Sequence, residues 1–191
     1  MKGSVLLGLA VILTISSGCT KPVYLKVPYL EYHGPRLVEE VRDVDKKVSE
    51  VNIQSINDQR GDKEVLGIVA GRVVQGDNLP HWVARGLGLL KYFGYGVTFE
   101  KEKGISNRDS IDLHVEIKTA HVRSISTSMS ATLVLGIDYS VGGCLLERKI
   151  YRGVKTELNW ASTEDEINEL FCLALVPVLK AVSKDLAGLH P

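Results

Sequence analysis

The sequence predicts an α+β domain, an antiparallel (mixed) sheet with two amphipathic helices packed on one face. Three stretches carry that prediction. Ile111, Leu113, Val115 and Ile117 alternate with Asp112, His114, Glu116 and Lys118, the period of a strand with one covered face and one wet face. Val83, Gly86, Leu87 and Leu90 recur at i, i+3, i+4 and i+7, the period of a helix with one apolar side. Thr163 and Glu166 have capping-box spacing, and Ile167, Leu170, Phe171, Ala174 and Val178 behind them repeat the helical stripe.

The chain begins with a short basic segment carrying Lys2, followed by an apolar run from Val5 to Ile15. That run is too short to cross a bilayer as a stable helix and long enough for a secretory leader. It ends in Ile15-Ser16-Ser17-Gly18-Cys19. An apolar residue, two small ones and a cysteine in that order resemble the lipobox of bacterial lipoproteins. The resemblance implies a leader over residues 1–18, cleaved by the lipoprotein signal peptidase. It further implies a diacylglyceryl thioether on Cys19 and an N-acyl chain such as palmitate on the new terminus. Three acyl chains exceed the two signals that stable anchoring requires, so the membrane is the first expected partner. Thr20 follows Cys19, whereas the usual inner-membrane retention signal resembles an aspartate there. The expected location is therefore the inner leaflet of the outer membrane, facing the periplasm, with Lys21 as a nearby residue able to alter the sorting.

The chain has 191 residues, and removal of the leader leaves 173, enough for one ordinary hydrophobic core. Residues 19–46 read as a lipidated tether and 47–191 as a single domain. The 23 basic and 23 acidic residues balance; losing Lys2 with the leader leaves 22 against 23, a net charge of −1. No basic excess is present for phosphate backbones, so nucleic acid is not an expected partner. No later stretch is apolar for long enough to form a transmembrane helix. Of the three cysteines, Cys144 and Cys172 remain after Cys19 is lipidated. They are an even pair in a compartment that permits disulfides, so a bridge and two free thiols both stay open.

Taken in order, residues 20–45 are punctuated by Pro22, Pro28 and Pro35, which favour extended backbone. Tyr24 to Val27 alternates as a short strand would, and Val38 to Asp45 reads equally as helix or loop. Val51 to Ile56 alternates as a half-buried strand and runs into the polar turn Asn57 to Asp62. Residues 63–76, with Gly67, Gly71 and Gly76, suggest a strand or hairpin. A helix is expected from Asn78 to Tyr92, capped by Asn78, with Pro80 in its first turn and Gly94 as a left-handed C-cap. Val97 and Phe99 then mark a strand. The long alternation from Asp109 must turn somewhere between Ala120 and Ser128, because Ile125 to Tyr139 shows a second apolar face at odd positions. Gly142-Gly143 is a hairpin signal, and Leu146, Ile150 and Val154 continue a return strand. The last helix follows Trp160-Ala161-Ser162, and Pro177 should kink it or end its regular part.

This order, together with Val51-Asn52-Ile53-Gln54-Ser55-Ile56-Asn57-Asp58-Gln59-Arg60 and the helix ending in Phe93-Gly94-Tyr95, resembles the YajG family of small bacterial lipoproteins. The general plan is also similar to auxiliary lipoproteins of envelope transport systems. The glycines at 67–76 have no clear counterpart in the family. The resemblance implies an envelope lipoprotein and no particular chemistry.

The residues themselves offer little catalytic machinery. His114 and Glu116 share a strand face and, with His121, form the one constellation resembling metal ligands, yet solvated polar residues are expected on that face anyway. No GxGxxG and no Gly-x-Ser-x-Gly occurs. No catalytic residue, metal or cofactor is therefore expected beyond the lipid on Cys19. Asp58, Gln59 and Arg60 are the candidate binding residues, although an Asp–Arg pair at that spacing also ties a turn. The expected function is that of a non-catalytic envelope lipoprotein whose periplasmic body is a binding or adaptor subunit of an envelope complex, with a protein partner. Carriage of lipid in envelope transport is the first alternative and a cell-wall or lipid hydrolase the second.

Overall fold

The computed structural model describes residues 21–24, 50–76, 78–99, 110–158 and 161–189. Within them one eight-stranded mixed sheet carries both helices on a single face. The strands are β1 (Val23–Tyr24), β2 (Glu50–Asp58), β3 (Val65–Val69), β4 (Arg72–Gln75), β5 (Gly96–Phe99), β6 (Ile111–Ile125), β7 (Ser128–Val141) and β8 (Cys144–Leu158). The helices are α1 (Leu79–Leu87), prolonged as a 3-10 turn over Gly88–Phe93, and α2 (Glu164–Gly188).

β6 organises the sheet. Antiparallel β7 runs along one side of it from Asp112↔Ser140 to Ile125↔Ser128. Its other side is shared: β2 lies parallel to residues 111–117, and β3 takes over at Gly67↔Val122 and Ile68↔Arg123. β5 extends the β2 side, β4 and then β1 extend the β3 side, and β8 closes the β7 side. At the crossing of β3 and β6 only glycine fits. Gly67 has φ +147°, and a Cβ there would stand 1.9 Å from the Val122 carbonyl oxygen.

Each hairpin has its own turn chemistry. Ala70 and Gly71 both adopt positive φ between β3 and β4, as do Gly142 and Gly143 between β7 and β8. Positive φ at both central residues matches the right-handed twist of the strands they join. The β6–β7 turn falls at Ser126-Thr127, with Ser126 at φ 54°. No glycine marks it, which is why the sequence bounded it only to a nine-residue window.

The core lies between the sheet and the two helices. The odd positions of β6 and β7 supply Leu113, Val115, Ile117, Leu133, Leu135 and Ile137, all essentially inaccessible. Trp82 of α1 meets Phe171 of α2 edge to face, with centroids 6.1 Å apart and planes at 76°. α2 starts on a complete capping box, Thr163 with Glu166. It continues through Pro177 to Gly188, so of the two expected outcomes at the proline, a kink or an end of regular helix, the second does not occur. Pro177 is exposed, and its ring therefore costs the helix one hydrogen bond without disturbing the packed side. Gly94 at φ 93° is the left-handed C-cap expected after Phe93. Asn78 stands at the N-cap position but makes no side-chain cap bond.

Several expectations need correction. The short strand expected over Tyr24 to Val27 starts one residue earlier, with Val23 fully buried and paired with Val74, and Leu25 to Val27 lie outside the described residues. Asn57 and Asp58 belong to β2, and the turn begins at Gln59. Asp112 does not sit on a wet face; it is buried and accepts hydrogen bonds from the side chains of Asn52 (3.1 Å) and Gln54 (3.0 Å). Leu146, Ile150 and Val154 do lie in the return strand, but on its solvent side, while Tyr151 and Gly153 face the helix. Of the two alternatives open for Cys144 and Cys172 the structure has the free thiols: Cys144 is exposed at the β7–β8 hairpin and Cys172 is buried inside α2. Burial among apolar neighbours, with the Glu169 charge adding to it, pushes the Cys172 thiol up to about 12. Cys19, residues 25–46 of the tether, Val38 to Asp45 and Trp160 lie outside the described residues.

Candidate functional site

Three places gather polar or ligand-sized features: the turn after β2, the polar column on β6, and a cleft beside α1. The turn holds Asp58, Gln59 and Arg60. Arg60 is buried, and its Nε and Nη2 donate to both Asp58 carboxylate oxygens at 2.8–3.2 Å. The same guanidinium donates to the carbonyls of Lys63 (2.8 Å), Val65 (3.3 Å) and Gly76 (3.5 Å). Its donors are thus divided between the Asp58 carboxylate and backbone carbonyls of the loop and of the end of β4, and the Gly76 carbonyl also accepts the Leu79 N–H at 3.1 Å. Burial alone would raise the Asp58 carboxyl, but the side-chain and backbone hydrogen bonds from Arg60 outweigh it and hold the carboxyl below its ordinary value. Gln59 is the exposed member, donating to Glu116 Oε1 at 2.7 Å. The three residues are neighbours, but two of them face inward and bind the fold together.

On β6, His114 and Glu116 share the helix-free face as alternation requires. They do not converge. His114 Nδ1 is 3.0 Å from Ser55 Oγ, while Glu116 is paired with Lys118 at 2.8 Å. The hydrogen bond from Lys118 lowers the Glu116 carboxyl. His121 is exposed further along the strand, beyond the bulge between Ile117 and Thr119. Among the described residues, no group of three or more His, Cys, Asp or Glu side chains stands close enough to hold a metal ion.

The third place is a cleft that no sequence motif marks. β5 pairs with β2 only as far as Ile53↔Phe99, so the edge of β2 from Gln54 onward has no neighbour in β5. Gln54, Ser55 and Ile56 form one wall and Pro80, His81, Ala84 and Arg85 of α1 form the other, enclosing about 410 Å³. Phe99 closes one end, and its ring passes so near Gly88 that a Cβ there would lie 3.1 Å from it. Ile53, Ile56 and Ala84 make the interior apolar, while Arg85 and His81 bring a cation and an imidazole to the wall. Such a volume and lining suit part of an apolar or amphiphilic molecule. The sequence carried a faint signal for it, the shortness of β5 relative to β2, but nothing that fixed their register.

A separate polar network ties the far end of the fold. Tyr151 donates to Asp185 Oδ2 at 2.7 Å, so Tyr139, 2.5 Å away, must donate to Tyr151. Lys149 completes it, pairing with Asp185 at 3.0 Å and Glu147 at 2.9 Å. Burial raises both tyrosines far above their ordinary value, and they stay protonated. Here β7, β8 and α2 are joined, and no reacting group is exposed.

No family model matches the chain, and no curated protein matches it. Similar solved structures include a Xanthomonas campestris protein of family DUF330, 11% identical over 73% of this chain and 82% of that one, with TM-score 0.46. Lipoprotein GNA1162 of Neisseria meningitidis is 13% identical over 73% of this chain and 99% of that one, with TM-score 0.37. A minor lipoprotein of Acinetobacter baumannii is 10% identical over 77% of this chain and 97% of that one, with TM-score 0.43.

Proposed function

We propose that the protein is a YajG-type envelope lipoprotein, anchored by acyl chains on Cys19, whose folded body binds a partner and performs no catalysis. The observation that carries the anchor is the run from Val5 to Ile15 ending in Ile15-Ser16-Ser17-Gly18-Cys19. No described helix is long and apolar enough to cross a membrane; covalent lipid supplies the attachment in this reading. The proposed site is the inner leaflet of the outer membrane, on the ground that Thr20 occupies the position after the cysteine. A binding role is supported by the filled core and by β8, a fifteen-residue strand paired on one side only among the described residues. An open strand edge offers backbone donors and acceptors to a partner strand. The test has two parts. Intact-mass analysis of the membrane-extracted protein should show a triacylated terminus at Cys19, lost in Cys19→Ser, and density-gradient fractionation should place it with outer-membrane markers. A photo-crosslinker at Ile150 should then give one discrete protein adduct in cells; a smear, or none, would remove the adaptor role.

The cleft between α1 and β2 favours a second reading, carriage or transfer of an amphiphile. Native mass spectrometry after gentle extraction would show a phospholipid adduct abolished by Ala84→Trp, which fills the cleft. Absence of any lipid adduct would leave the adaptor reading alone.

A further inference from the structure

We propose that the helix-free face of the sheet, at its β1 end, lies against the bilayer in which Cys19 is anchored. This rests on the lipid anchor proposed above and adds which surface meets the membrane. The first support is chain length. Three residues lie between Cys19 and Val23, and an extended chain spans at most about 3.6 Å per residue, so four residue steps keep the backbone of Cys19 within about 14 Å of β1. β1 is no free leash. Val23 is fully buried and in register with Val74, and Tyr24 is in register with Gln75. The sheet is therefore held at one edge close to the lipid, rather than at the end of a long tether.

The second support is what that edge presents. Following the registers, Tyr24 and Gln75, then Val73 and Ile68, then Arg123 lie side by side, and Ile125 is two residues further along β6. Alternation puts all of them on the face opposite the helices. Tyr24 is 49% exposed, Ile68 60% and Ile125 45%, whereas Val23, Val69, Val74 and Val122 on the other face are at 0%. Apolar side chains, one tyrosine and one arginine form the combination that settles at a lipid headgroup boundary. The ring and the guanidinium reach the polar layer while the apolar groups sink below it.

The third support is charge. The carboxylates on this face of β6 and β7, Glu116 and Asp138, stand toward the opposite end and are paired with Lys118 and Arg148. Arg123 is the one charged side chain in the row just named, which suits a surface with anionic lipids, while the exposed Asp62 and Glu64 lead into β3 just beyond the Gln75 end of that row.

Site-directed spin labelling of the full lipidated protein tests this. Ile68→Cys and, as a control on the helix side, Lys184→Cys would each be made with Cys144→Ser, leaving buried Cys172 unlabelled. Both would be reconstituted in vesicles of phosphatidylethanolamine and phosphatidylglycerol. The Ile68 label should show several-fold lower collision with a water-soluble nickel chelate than the Lys184 label, and higher collision with oxygen. Equal, aqueous behaviour of both labels in protein that is triacylated and floats with the vesicles would overturn the membrane face while leaving the anchor intact. A label at Ile68 shielded from nickel and oxygen alike would also overturn it, because a protein surface then covers the patch. Protein without the acyl mass at Cys19 would remove the anchor and the inference together.

Discussion

Arg60 is the residue on which the region between β2 and β4 depends. One guanidinium closes a turn on Asp58 and holds the carbonyls of Lys63, Val65 and Gly76. Hydrogen bonds to a charged group contribute about 1.5–3 kcal/mol, and removing one member of a buried pair strands the other. Arg60→Ala should therefore lower unfolding free energy by about 3 kcal/mol in denaturant titration. Gln59→Ala should change it by less than about 0.5 kcal/mol. The acid limb checks the same pair. The Asp58 carboxyl is lower in the folded than in the unfolded chain, so its contribution is present above the ordinary carboxylate value and lost as pH falls through the folded value. Arg60→Ala should flatten that part of the stability profile. The sequence made Asp58-Gln59-Arg60 visible as a cluster, and the local Asp–Arg tie was within its reach. It could not show that the carbonyls of Lys63, Val65 and the more distant Gly76 converge on Arg60, because the loop and the β3–β4 hairpin bring them there.

At the scale of elements, the contact of α2 with β8 decides how that strand is oriented. A Cβ on Gly153 would stand 1.8 Å from the Ala174 carbonyl oxygen of α2. The helix can approach because that side chain is missing, and Tyr151 beside it reaches Asp185. Gly153→Ala should cost about 3 kcal/mol, since neither backbone can yield without moving the helix. Gly142→Ala, with φ +57° and open space around it, should cost only about 1 kcal/mol. Phe171→Ala should cost about 3–5 kcal/mol by emptying the space against Trp82. Thermal melts of the three variants should rank in that order of severity: Phe171→Ala and Gly153→Ala low, Gly142→Ala near wild type. The long strands β6 to β8, both helices, the capping box and the Gly142-Gly143 turn are legible because period and turn chemistry are local, whereas the bounds of β1 and β2 and the β3–β4 hairpin are not fixed by them. The face of β8 was not. Its large aliphatics, Leu146, Ile150, Val154 and Leu158, are on the open side, and its inward positions are Glu147, Lys149, Tyr151, Gly153 and Lys155, which look polar until α2 is placed over them.

For the whole molecule, one asymmetry stands out: both helices cover the same face of the sheet, and the other face carries Ile68, Ile150 and Leu158 at 60% exposure or more. Stability and surface chemistry are thereby separated. Leu133 and Gly153 are paired across β7 and β8 and point under α2, while Ile150, paired with Gly136, points away. Leu133 is inaccessible to solvent and Ile150 is 65% exposed. A lysine at Leu133 would bury a charge without a partner, a cost of more than about 4 kcal/mol, and should leave little folded protein. A lysine at Ile150 would exchange one exposed side chain for another and should shift unfolding free energy by no more than about 0.5 kcal/mol. It should also reduce self-association of the delipidated body, because an exposed aliphatic column on a strand with one edge open among the described residues favours edge contacts. Circular dichroism melts and sedimentation velocity on Leu133→Lys and Ile150→Lys check both halves. A loss of stability in Ile150→Lys approaching that of Leu133→Lys would mean that the open face is packed in the folded state.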